Sequence, residues 1–110
     1  SASIRISGVT ELPAGMEVRW EFPDSLDGKI QGFSLLRSAK HEGPYTPLHP
    51  GMLGPTVRHY TDPAPLPINY YKVEFVDLNG NHAGSIPQLA QPKDSIAPEA
   101  PASIVRRTLP

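Results

Sequence analysis

The chain has 110 residues, no cysteine, and a formal net charge of −1 from ten Lys and Arg against eleven Asp and Glu. That length fits one domain able to bury its own core, and disulfides and cysteine-based metal or redox sites are excluded. The charge balance leaves no basic footprint for nucleic acid, and no apolar run reaches the ~20 residues of a membrane-spanning helix.

Fourteen prolines and nine glycines punctuate the chain. Interior proline removes a helical donor and clashes with the preceding turn, so short strands between turns are expected instead of long helices. The first strand is expected at 3–7, where Ile4 and Ile6 alternate with polar residues. The clearest is MEVRWEF (16–22), with Met16, Val18, Trp20 and Phe22 turned inward and Glu17, Arg19 and Glu21 turned to water. IQGFSLLRS (30–38) offers Phe33 and Leu35 to one face and Leu36 to the other. Weaker strands are expected at 45–48, 57–61 and 83–91, and the inward face of 57–61 is not fixed by its pattern. Between 71 and 75, Tyr71, Val73 and Phe75 alternate with Lys72 and Glu74, a second strand with one apolar face.

Turn-type clusters separate these runs: LPAG, PDSLDG, HEGP, HPGMLGP, DPAPLP and LNGN. Asp24 and Asp27 share one of them, where Asx-type capping accounts for both. About seven short strands spaced by turns are the pattern of a two-sheet antiparallel sandwich, because two sheets with one apolar face each bury those faces against one another. After Gln91 the texture changes to PKDSIAPEAPASIVRRTLP, whose prolines and lack of periodicity read as a semi-extended linker over 92–110, with a short extra strand over 102–109 as the alternative.

Four stretches, EVRWEF, IQGFSLLRSAKHEGPYTPL, HYTDPAPLP and NYYKVEFVDLNGNHAGS, resemble the fibronectin type III domain, as found in bacterial secreted multidomain proteins. The resemblance covers roughly residues 3–91 and implies an immunoglobulin-like sandwich over 1–91, with Trp20 as core anchor. It also implies that Tyr71 is the tyrosine of a corner whose hydroxyl bonds to nearby upstream backbone. Many members carry Pro-Gly-Thr before that strand; this chain has Pro67-Ile68-Asn69. The tail looks like the segment joining one such module to the next. An extracellular or cell-surface setting, and neighbouring domains of the same chain as partners, are what the resemblance implies.

Candidate sites are few. DLNGN (77–81) opens like a calcium loop with Asp77, Asn79 and Asn81, but its sixth position is His82 and its twelfth Gln88, where glycine and glutamate are needed. Asn-Gly between alternating strands is instead a strong hairpin signal. His41, His49, His59 and His82 lack the spacing of a metal set and read as solvated surface residues. Ser34, Ser38 and Ser85 have no nucleophile-elbow context. No catalytic, metal or cofactor site is expected. A non-catalytic spacer or protein-interaction module follows, with a carbohydrate-binding accessory module of a polysaccharide-degrading enzyme as the alternative. Sugar platforms use exposed aromatics, and with Trp20 in the core the candidates for surface contact are Tyr45, Tyr60 and Tyr70. The core itself is expected around Trp20, Tyr71, Val73 and Val18.

Overall fold

A computed structural model describes residues 4–26 and 28–93. Asp27 and residues 94–110, most of the expected linker, lie outside the described residues. The fold is all-β, two sheets packed against each other. The first holds β1 (Arg5–Leu12), β2 (Gly15–Glu21) and β5 (His59–Asp62) in the order β1-β2-β5. The second holds β4 (Thr46–Pro47), β3 (Ile30–Ser38), β6 (Asn69–Asp77) and β7 (His82–Gly84) in that order, with β8 (Gln88–Ala90) also paired to β6. Every pairing is antiparallel.

The first strand runs further than its alternation suggests, because Leu12 pairs with Gly15 across Pro13-Ala14 and the hairpin carries pairing up to the turn. Gly15 sits at φ 141°, and a Cβ there would strike the Asp62 carbonyl, so only glycine lets β2 leave the turn beside the end of β5. The expected strand over 83–91 is two. Ser85 replaces a strand neighbour at the break: its amide donates to the Val73 carbonyl at 2.8 Å and its Oγ accepts from the Val73 amide at 3.1 Å. The chain then bulges through exposed Ile86 before β8 resumes.

The core lies between the sheets. Met16, Val18, Trp20 and Phe22 enter from one side, and Ile30, Phe33, Leu35, Tyr71, Val73 and Phe75 from the other. Rings meet edge-on: Phe22 lies 5.3 Å from Phe33 and 4.9 Å from Phe75, both near perpendicular, the arrangement aromatic quadrupoles favour. Trp20 packs 5.7 Å from Phe33. Arg58 lies over Phe33 and Phe22, its guanidinium carbon 5.0 and 5.6 Å from the ring centroids. Leu36 is buried but stands outside this cluster, on the opposite face of β3, opposite Pro47 of the short edge strand. Pro47 has no amide to offer a further strand, which blunts that edge.

The packed residues continue to Lys93. Pro92 is buried, and the Lys93 amide donates to Glu11 Oε1 at 2.9 Å. Arg5, at the other end of β1, lies opposite Glu21. The two ends of the described chain therefore leave from opposite poles.

Trp20 is 2% exposed, yet its Nε1 has no hydrogen-bond partner among the described residues. An unmet buried donor costs about 1–3 kcal/mol, so the indole is held by packing alone. Trp20→Ala is expected to lower the free energy of unfolding by about 3–5 kcal/mol in urea titrations, and Trp20→Phe by much less, since it removes the unmet donor with the bulk largely kept. A loss under about 1 kcal/mol for alanine would contradict a core role for this residue.

Candidate functional site

Polar and aromatic side chains gather in three places: around Tyr71, at the Asp77 turn, and at the tyrosines Tyr45, Tyr60 and Tyr70. The first is interior. Asp62, at the end of β5, is 1% exposed, and it faces Tyr71 and Arg37, which are themselves register partners on β6 and β3. The Tyr71 hydroxyl donates to Asp62 Oδ2 at 2.7 Å, and Arg37 Nη1 stands 2.8 and 3.0 Å from the two carboxylate oxygens. The Ala64 amide donates to Oδ1 at 3.1 Å, and Arg37 Nη1 also reaches the Ala64 carbonyl at 3.0 Å. The expected corner thus closes differently from its expectation: the tyrosine bonds a buried carboxylate nine residues upstream, not backbone. Asp62 stands where the carbonyl was expected because β5 ends directly beneath the phenol.

The members of this group are turned toward one another inside the fold. Both oxygens of Asp62 are engaged, and burial, with the Asp62 hydrogen bond and charge, pushes the Tyr71 hydroxyl well above the ordinary phenol range against a smaller opposing effect of Arg37. Its neighbour Asn69 is equally internal and was not singled out in the sequence. Its Oδ1 accepts from the Leu66 amide at 2.8 Å, and its Nδ2 donates to the Leu66 and Ala90 carbonyls at 2.8 and 3.0 Å. This side chain closes the 63–68 loop and ties it to β8. Among the serines, Ser38 Oγ accepts from the Lys40 amide and Ser85 Oγ from Val73, so both serve backbone.

The Asp77 turn is likewise self-contained. Asp77 Oδ1 accepts from the amides of Asn79 and Asn81 at 2.8 and 2.9 Å, Oδ2 takes the Asn81 side-chain amide at 3.2 Å, and Gly80 turns the chain at φ 86°. The Asn81 amide above all, with the other turn donors, holds this carboxyl below the usual Asp range against a partial opposing effect of burial. Asp77, the first residue of the would-be calcium loop, spends both carboxylate oxygens on the hairpin turn. No group of three or more metal-ligating side chains occurs among the described residues.

The tyrosines divide. Tyr60 lies opposite Val18 in the β2–β5 register and packs against the core, its ring 5.0 Å from His49. It is half-buried and turned toward the core instead of standing out on the surface as expected: Val18 faces inward, and a directly opposite residue shares its face. Tyr45 and Tyr70 do share the outer face of the second sheet. Tyr70 stands opposite Ser38 and Leu89, with His41 edge-on at 5.6 Å. Lys72 Nζ lies 5.0 Å from the Tyr45 ring centroid, and the Tyr45 hydroxyl donates to the His41 carbonyl at 2.7 Å. Burial first, then Tyr70 and Glu42, pushes the Tyr45 hydroxyl up. Leu89, 48% exposed, extends the strip. The histidines do not converge: His59 and His82 stand 3.7 and 3.9 Å from Glu17 and Glu74, while His49 is half-buried and held by backbone instead of fully solvated as expected.

No family model matches the chain, and no curated protein matches it. Two crystal structures of pectate lyase Pel3 from Pectobacterium carotovorum, with one and two monomers in the asymmetric unit, are similar to it in fold, with TM-scores of 0.64 and 0.60. Each is 18% identical, and the likeness covers 93% and 92% of this chain. The chain spans only 29% and 28% of those proteins, so the likeness is to one part of a longer molecule. At this identity it concerns the fold alone.

Substitutions at these positions check the assignments. Tyr71→Phe should cost about 1–3 kcal/mol by leaving Asp62 one donor short, and Arg37→Met about 3–5 kcal/mol by leaving a buried charge unpaired. The folded chain keeps a phenol proton that the unfolded chain releases above pH about 10. Stability is therefore intact below that pH and falls as pH rises beyond it, and urea midpoints for Tyr71→Phe should lose most of that alkaline slope. At the turn the sign is opposite: the Asp77 contribution is present above the ordinary Asp range and lost as pH falls through the lowered folded value. Asp77→Ala should lower the melting temperature at pH 7 and flatten its acid decline, while millimolar calcium leaves the native melting temperature unchanged.

Proposed function

We propose that the chain is a non-catalytic, fibronectin type III-like module of a larger secreted or cell-surface bacterial protein, where it spaces neighbouring domains or presents a docking surface to another protein. The observation that carries this reading is the placement of Arg5 and Lys93 at opposite poles of two packed sheets. A compact unit entered at one pole and left at the other can be joined in series. A proline-rich segment such as the one that begins at Pro92 stiffens the junction that follows. Tyr71 near the start of β6, after the β5–β6 connection, supports the fibronectin-like assignment. The engagement of the interior polar groups by one another supports a structural role over a catalytic one.

A second reading has an observation of its own. Tyr45, Tyr70 and Lys72 share one exposed sheet face, and the structural neighbours are a pectate lyase of which this chain matches a minor part. Tyrosine rings pack on the apolar face of a pyranose, and Lys72 would pair with a carboxylate sugar, so an accessory module for an acidic polysaccharide is the alternative. Retention on insoluble polygalacturonate and on cellulose separates the two. The spacer reading expects the protein in the unbound fraction on both. Retention abolished by a Tyr45→Ala, Tyr70→Ala double variant with an unchanged melting temperature would replace it with the polysaccharide reading.

A further inference from the structure

The crossover from β4 to β5 does not hang free. Its residues continue the pairing along the open edge of β3. The Leu48 amide donates to the Leu35 carbonyl at 3.0 Å, and Leu53 exchanges two backbone bonds with Phe33, at 2.7 and 2.9 Å. Between these rungs the chain loops out over Pro50 to Met52, and no backbone carbonyl comes to the Leu35 amide. A side chain does instead. His49 Nε2 accepts from the Leu35 amide at 3.0 Å, while Nδ1 lies 2.8 Å from the Gly51 carbonyl.

These two bonds specify one protonation state. A main-chain amide only donates, so Nε2 must present a lone pair. A carbonyl only accepts, so Nδ1 must carry the proton. The ring that completes the β3 edge is therefore neutral imidazole in the Nδ1–H tautomer. A second proton on Nε2 would remove the acceptor and set N–H against N–H, while the Gly51 bond would survive. From β5 the ring meets Tyr60, and from the segment leading into β5 Arg58 lies on the adjoining Phe33. β3 presents its backbone to the ring. Among the described residues no carboxylate bonds or pairs with His49.

We propose that His49 is a proton-operated latch: neutral, it fastens the 48–53 crossover to the edge of β3, and protonated, it releases it. Acidification then opens a β3 edge that pairs with the crossover at neutral pH. Such an edge is able to accept an added strand.

The test uses the full 110-residue chain, labelled with nitrogen-15. At neutral pH the His49 ring should show its proton on Nδ1. As pH falls through the titration of His49 itself, the protection factor of the Leu35 amide, corrected for intrinsic exchange, should drop about tenfold, the scale of one net hydrogen bond. The Val73 amide, bonded to Ser85 Oγ on the far side of the sheet, should not change. In His49→Gln the side-chain carbonyl can accept at any pH, and Leu35 protection should become independent of pH over the same range. A proton found on Nε2, or Leu35 protection that stays flat while His49 titrates, would overturn the latch. If the glutamine variant does not fold, the native titration decides alone, with exposed His41, His59 and His82 as internal controls.

Discussion

The carboxylate of Asp62 is the point on which the two sheets agree. It belongs to the last residue of β5 in one sheet, and its donors, Tyr71 and Arg37, stand side by side in the other. A buried ion pair is a weak source of net stability, because desolvation offsets most of its attraction. What it does supply is uniqueness. A one-residue slip of β6 on β3, or of β5 on β2, would turn one member of the group to the opposite face and leave a charge buried without a partner. Hydrophobic side chains tolerate small displacements; this group does not. Gly15 belongs to the same constraint, since its missing Cβ is what lets the β1–β2 turn approach the carbonyl of the same aspartate.

Around that point the other buried polar groups solve local backbone problems. Asn69 closes a proline-rich loop whose prolines lack amides, Ser85 bridges the gap where β7 gives way to β8, and His49 fills a missing rung on β3. Each supplies a donor or acceptor where the chain leaves regular pairing, as buried backbone groups require. Polar side chains spent in this way are not available for chemistry, which is why the functional reading moves to the surface. Under the proposed reading, the features that matter there are the outer face of the second sheet, with Tyr45, Tyr70 and Lys72, and the opposed poles.

Alternation made much of this legible beforehand. Trp20, Val18, Tyr71 and Val73 are buried as their period-two pattern requires, and Leu36 falls on the far face of β3 as its position implies. Asn-Gly at 79–80 marks a hairpin turn for a local reason, the tolerance of glycine for positive φ. Tyr60 was not legible. HYTD carries no apolar alternation, and only its registration opposite Val18 turns the ring inward. His49 was hidden for a similar reason: a histidine beside a proline-glycine turn looks exposed, and its role depends on a strand fourteen residues earlier.

The amino-acid sequence by itself determined an all-β chain, the inward faces of its two best strands and the positions of its turns. These follow from side-chain period, proline and glycine, which act within a few residues of one another. Only the tertiary structure decided that Asp62 would hold Tyr71 and Arg37, that Tyr45 and Tyr70 would share a face while Tyr60 would not, and that an imidazole would complete the β3 edge. Those outcomes depend on which strands become neighbours and in what register, a long-range choice made by burying all the apolar faces at once.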